Sequence, residues 1–178
     1  MPLKTPICSF DAKTGILCPK CDSKLRSGQI TQADVEASVT LTGLAEKLKA
    51  LQSLTLVRAW SLPSSVVLEL GQGNLAIVRG EPGLLSTLAE AFGRKLWVLE
   101  AGSPDRKFLE DLFYPAKLLT VNIVYLPDGS KMTKVIVKGR RTERFPHDLE
   151  DLKQISKVLR GIELLIEFQQ EMVSYAVR

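Results

Sequence analysis

Three stretches of the 178-residue sequence carry side chains whose types and spacing could do chemistry. The first is Cys18-Pro19-Lys20-Cys21, with Cys8 upstream. Two thiolates at this spacing can share one ion and Cys8 offers a third ligand, a set that suits Zn2+. The fourth ligand is left open. The sole histidine, His147, is far along the chain, and Asp11, Asp22, water or another subunit are weaker choices. Structural or incidental thiols account for the cysteines equally well. A redox pair is a third reading, but no βαβ pattern lies beside it. The second stretch is Gly80-Glu81-Pro82-Gly83. Its glycines permit close approach by a sugar-phosphate backbone, and a following helix would offer amides to phosphate. A tight corner between two helices explains the same four residues, with Pro82 presetting an early-helix φ. A nucleotide-binding P-loop does not fit, because neither GxxxxGK[ST] nor a GxGxxG after a strand is present. The third stretch is the basic run of Lys138, Arg140, Arg141 and Arg144, extended by Lys131 and Lys134. It suits phosphate contacts, or it is a solvated loop. Phe145 and His147 beside it either stack on a base or pin the loop to its domain.

The elements that must hold these residues follow from hydrophobic spacing. Residues 1–28 show no clear period. Thr31 with Asp34 three residues later predicts a helix start, continued through ADVEASVTLTGLAEKLKALQS with Val35, Val39, Leu44, Leu48 and Leu51 as its stripe. LTLVRAW and SSVVLEL read as strands split at Leu62-Pro63. Asn74–Arg79 reads as a helical turn closing at Gly80. Leu84, Leu85, Leu88, Ala91 and Phe92 then give one helical face, stopped by Gly93. Lys95–Leu99 reads as a strand.

The same order returns after Gly102-Ser103-Pro104. Asp105–Leu119 carries Phe108, Leu112, Phe113, Ala116 and Leu119 on a helical face, with Pro115 as a complication. Val121–Leu126 and Met132–Val137 flank Pro127-Asp128-Gly129-Ser130, a strong hairpin signal. Asp148–Arg160 predicts a helix with Leu149, Leu152, Ile155 and Leu159 inward, Gly161 stops it, and Ile162–Phe168 reads as a strand. Two copies of helix–strand–strand–helix–strand predict an α+β fold, each copy a three-stranded sheet covered by helices.

Composition narrows the functional classes. With 45% hydrophobic and 25% charged residues, the chain should be globular. A net charge of +4 mildly favours an anionic partner. No run is long and apolar enough for a membrane span, and MPLKTPICSFDAK lacks a signal-peptide core. The expectation is a cytoplasmic protein with no membrane partner. Catalysis fits poorly. Asp105, Glu110 and Asp111, and Asp148, Glu150 and Asp151, have no identifiable base or nucleophile beside them, and charge at helix starts explains them cheaply.

Gly80–Gly83, the following LLSTLAEAFGRKLWVLE, and above all FLEDLFYPAKLLTVNIV resemble the archaeal NusA-like transcription factors, which consist of tandem type II KH domains. The likeness covers about residues 34–168, and PAKLLTV, beside that family's PAKVLxV, is its most specific part. It implies a first KH-like domain over 31–102 and a second, degenerate one over 103–170; the cysteine-containing segment over 1–30 that precedes them is a zinc-knuckle candidate on its own residues. It also implies single-stranded RNA as ligand, a role in transcription elongation or termination, and RNA polymerase as a partner. The RNA-contacting set would be Arg79, Gly80, Glu81, Pro82, Gly83, Arg94 and Lys95 in the first domain, with Lys138, Arg140, Arg141 and Arg144 in the second. Two features depart from the pattern. Glu81 puts negative charge where phosphate would approach, and Lys138–Asp148 holds one glycine, so no second GxxG can be assigned. A protein-interaction module of the transcription machinery, or a single-stranded DNA binder, is the alternative.

Overall fold

The computed structural model describes residues 3–139 and 145–169. The chain divides into two compact units, Met1–Ser103 and Pro104–Arg178. In order, its elements are α1 (Ser9–Thr14), α2 (Pro19–Arg26), α3 (Gln32–Ala45), α4 (Lys49–Gln52), β1 (Leu56–Ser61), β2 (Ser65–Leu70), α5 (Asn74–Gly80), α6 (Leu84–Phe92) and β3 (Lys95–Glu100). The second unit adds α7 (Asp105–Phe113), β4 (Leu118–Tyr125), β5 (Lys131–Lys138), α8 (Leu149–Arg160) and β6 (Leu164–Gln169). The fold is α+β: two three-stranded sheets, ordered β1-β2-β3 and β4-β5-β6, each packed against helices.

Each sheet joins an antiparallel pair to a parallel one. β1 runs antiparallel to β2, and β2 parallel to β3, with Leu68 opposite both Ala59 and Val98. A parallel partner cannot be reached by a tight hairpin, so helices must carry the chain across. In the first unit α5 and α6 make that crossing, and the Gly80–Gly83 turn is the corner between them. Leu75 and Val78 of α5 and Leu84 and Leu88 of α6 join Val66, Leu68, Leu70 and Val98 of the sheet in one core. Each fully buried leucine there contributes about 2 kcal/mol.

Helix α3 completes that core in a way the period did not show. Its start is the expected one: Thr31 accepts from the Asp34 amide and Asp34 accepts from the Thr31 amide at 2.7 Å, a reciprocal cap. The end differs. α3 stops at Ala45, where the Gln52 side-chain amide donates to the Ala45 carbonyl at 2.9 Å, and Leu51 enters the core from α4 instead. Ala37, Leu41 and Ala45, spaced by four, face the sheet, while Val35 and Val39 face the N-terminal segment. The expected stripe mixed residues from both faces. The small alanines that let a helix lie close to a sheet carry too little hydrophobic signal to be read.

Residues 3–30 form the short helices α1 and α2, where no regular element was predicted. Lys4 also extends the sheet edge: its amide donates to the Leu54 carbonyl at 3.1 Å, and its carbonyl accepts from Leu56 at 2.8 Å. In the second unit, α7 ends at Phe113 rather than running to Leu119. The residue before a proline is pushed out of helical geometry, and Tyr114 has φ −52 and ψ 136. Leu118 and Leu119 therefore belong to β4. The hairpin forms as its residues require. Asp128 accepts from the Ser130 amide at 2.9 Å and hydroxyl at 2.6 Å, and Gly129 takes φ 85. The hydroxyl, then the amide, holds the Asp128 carboxyl below its ordinary range. α7 and α8 pack together, α7 on β4 and α8 on β6, burying Phe108, Leu112, Leu152 and Ile155.

The second oxygen of Asp34 accepts from the Ala59 amide of β1 at 2.6 Å, so one buried carboxylate caps α3 and ties it to the sheet. Asp34→Ala is expected to lower the stability of the first unit by about 3 kcal/mol, combining a lost cap with an orphaned buried amide. Gln32→Ala, on the solvent side, should change it by less than about 0.5 kcal/mol. Urea unfolding of the two variants checks both values.

Candidate metal centre and nucleic-acid turn

Cys8 and Cys18 occupy the same place on successive helices. Each is the residue just before its helix, with φ and ψ of −70 and 156 for Cys8 and −72 and 161 for Cys18, and neither side chain caps its helix. Three residues on from each lies a buried side chain, Asp11 in α1 and Cys21 in α2. The chain thus builds the same turn twice, as Cys-x-x-Asp and Cys-x-x-Cys. One ligand atom from each of Cys8, Asp11, Cys18 and Cys21 lies within 4.8 Å of every other. All three cysteines are free thiols. The cluster has the residues and proximity to hold a metal ion.

Asp11 is fully buried. Its Oδ2 accepts from the Cys18 amide at 3.0 Å, whereas Oδ1 makes no well-formed hydrogen bond among the described residues. The Cys18 amide is the main cause that draws the Asp11 pKa down to about 2; burial opposes it, and the nearby thiols of Cys21, Cys8 and Cys18 assist. The Cys21 thiol is pushed up to about 12, chiefly by burial, with the carboxylate beside it adding to the rise and the Cys8 backbone opposing. A buried carboxyl group and a buried thiol thus lie side by side. Cys8, Cys18 and Cys21 are the expected ligands, and of the weaker choices for the fourth the structure brings Asp11 rather than Asp22 to the cluster. The signal was in the sequence, since Cys8-Ser9-Phe10-Asp11 repeats the spacing of Cys18–Cys21.

The Gly80–Gly83 turn is exposed at all four residues. Gly80 closes α5, Glu81 is extended with φ −91 and ψ 112, and Gly83 precedes α6 at φ 77. No side chain caps α6, so its first turn presents backbone amides outward. The two glycines differ in why they are there. Gly83 has a left-handed φ that other residues rarely take. Gly80 has no positive φ, and a Cβ added to it would meet nothing within 4 Å. Neither backbone conformation nor packing asks for glycine at position 80.

The basic residues are spread out. Arg79, in the last turn of α5, adjoins the turn and is half-buried. Arg94 and Lys95 follow the far end of α6, about 13 Å from Gly83 at 1.5 Å of rise per residue. There Arg94 donates to the Ser61 hydroxyl at 3.0 Å and the Leu62 carbonyl at 3.1 Å, fastening the β1–β2 corner. Lys138 is exposed at the end of β5, and Lys134 pairs with Glu167 at 2.9 Å. Arg140, Arg141 and Arg144 lie outside the described residues. The neighbouring aromatics face inward: Phe145 meets the rings of Phe168 at 5.2 Å, His147 at 5.9 Å and Phe113 at 6.4 Å. His147 Nε2 lies 2.6 Å from the Tyr114 carbonyl. These contacts fit the reading in which Phe145 and His147 pin the loop to its domain, with both side chains half-buried.

No helix among the described residues is long and apolar enough to cross a membrane. No protein-family model matches the chain. A local match joins it to the small ribosomal subunit protein eS7A of Saccharomyces cerevisiae, 28% identical over 65 residues. That match spans 36% of this chain and 34% of the ribosomal protein, so about a third of each is shared. Among solved structures, the crystal structure of APE1850 aligns over 73% of this chain and 95% of its own, with 16% identity and a TM-score of 0.45.

The contrast between the glycines sets a stability test. Gly80→Ala should leave the protein as stable or up to about 1 kcal/mol more so, because alanine is the better helix residue. Gly83→Ala should cost about 1 kcal/mol from its positive φ. Thermal unfolding of the two variants distinguishes them.

Proposed function

We propose that the chain is a single-stranded RNA-binding factor built from tandem type II KH domains, with the Gly80–Gly83 turn of the first as its backbone clamp. The observation that carries this reading is Gly80. It is an exposed glycine that its own fold does not require, next to an uncapped helix start. A residue without a side chain at such a place suits the close approach of a ligand backbone, as in the GxxG loop of KH domains. Amides at the start of α6 would meet a phosphate, with Arg79 close by. The order of elements around the turn and its return in the second unit support the KH reading. The local match to a ribosomal-subunit protein supports RNA as the ligand.

Binding rather than catalysis is proposed, since three of the acidic side chains on α7 and α8 are engaged in ion pairs. Asp105 pairs with Arg160, Glu110 with Arg106, and Glu150 with Lys153. A role in transcription, with RNA polymerase as partner, extends the proposal on the PAKLLTV resemblance alone. Glu81 favours a second reading, a protein-interaction module with little RNA affinity, since it places an exposed carboxylate at the tip of the turn.

Short single-stranded RNA oligomers are expected to bind with an affinity that falls as salt rises. Gly80→Asp should weaken binding by about tenfold or more, through bulk and like charge at the phosphate, while thermal stability holds. Fluorescence anisotropy titrations read both. Absence of binding at low salt would remove the RNA reading, and equal affinity in the variant would remove the clamp.

A further inference from the structure

We propose that Cys8, Asp11, Cys18 and Cys21 hold one tetrahedral Zn2+ through three thiolates and one carboxylate oxygen, and that this ion fastens the N-terminal segment to α3. The inference does not depend on the RNA reading.

The fourth ligand is the new element, and its burial carries the argument. Thiols alone fill apolar space without difficulty, so three cysteines in a small core would need no explanation. A buried carboxyl group with an unpaired oxygen would. Asp11 is fully buried, and its Oδ1 has no hydrogen-bond partner among the described residues. Leaving a buried polar oxygen unpaired costs about 1–3 kcal/mol unless something compensates it. A dication among three thiolates compensates it directly. The Cys18 amide on Oδ2 then acts as an outer hydrogen bond that orients the ligand.

Geometry and donor chemistry select the ion. Tetrahedral zinc with bonds of about 2.3 Å to sulfur places its ligand atoms about 3.8 Å apart. The four atoms here lie within 4.8 Å of one another, so closure needs a shift of about 1 Å. Soft thiolates disfavour magnesium and calcium. Four protein ligands leave no open position, which marks a structural site rather than a catalytic one. The matched turns before α1 and α2 explain how so short a segment brings four ligands together.

The segment also needs such a fastening. Among the described residues its buried apolar cluster is Ile7, Ala12, Cys21, Ile30 and Val35, with Leu17, Cys18, Leu25 and Val39 partly buried against it. A core of that size is small for a segment this long, and small modules commonly add a metal. Val35 belongs to α3, so the ion would brace the segment against the helix whose other face forms the main core.

The test uses the full chain, stripped of metal and kept reduced. Elemental analysis of protein grown with zinc should give one zinc per chain. Cobalt titration should give thiolate-to-cobalt charge transfer and strong tetrahedral bands. Asp11→Asn should lower zinc affinity by about tenfold or more and shift the cobalt bands. Asp22→Asn should change neither, since Asp22 is paired with Arg26 at 2.8 Å outside the cluster. Should Asp11→Asn not fold, Asp11→Cys is expected to bind zinc as tightly as the parent and move the cobalt bands to those of a four-thiolate site. Zinc well below one equivalent at micromolar free metal, iron with sulfide in its place, or a Cys18–Cys21 disulfide instead of metal would each overturn the proposal. So would unchanged cobalt bands in both Asp11 variants.

Discussion

The carboxylate of Asp34 is the point on which the first unit turns. One oxygen closes the cap of α3 with Thr31, and the other takes the Ala59 amide of β1. Helix start and strand are therefore set by a single buried group, where a missing partner would be costly. From that anchor α3 divides its surface. Ala37, Leu41 and Ala45 go to the sheet, and Val35 and Val39 to the cysteine segment. A helix buried on two sides shows no single stripe. That is why the local cap was readable while the orientation of the helix was not.

The second constraint is the parallel strand in each sheet. β3 must lie beside β2, and β6 beside β5, in the same direction. In the first unit the helices that make the crossing meet at Gly80–Gly83, which brings the corner to the surface with a free helix start. The corner is thus a product of topology, and Gly80 is the residue that topology does not explain. In the second unit α8 is started by Asp148, whose side chain accepts from Glu150 at 2.9 Å, and the residues just before it are held by Phe145 and His147. There the chemistry of a capped, pinned approach differs from the uncapped glycine start of α6.

What could be read in advance was what depends on neighbours in the chain. The Thr31–Asp34 cap, the Asp128–Ser130 hairpin and the glycines at 93 and 161, both with left-handed φ, act within a few residues and formed where their types require. Pro115 is visible in the sequence as a helix breaker, and it ends α7 at Phe113 and passes Leu118 to β4. Features that depend on distant partners stayed hidden. The close helix–sheet contact through alanines leaves little periodic signal, and the far-end location of Arg94 follows only from the length of α6. Asp11 lay between these cases. Its spacing from Cys8 was visible, but only burial beside three thiols distinguishes it from Asp22.

Under the proposed function, single-stranded RNA meets the backbone at the α5–α6 corner. Amide chemical-shift mapping of the full chain with a short single-stranded RNA tests it most directly. The largest shifts are expected on Arg79 through Ser86, with the amides of Leu85 and Ser86 moving most. Shifts that leave this corner untouched and gather elsewhere, or none at saturating RNA, would contradict it.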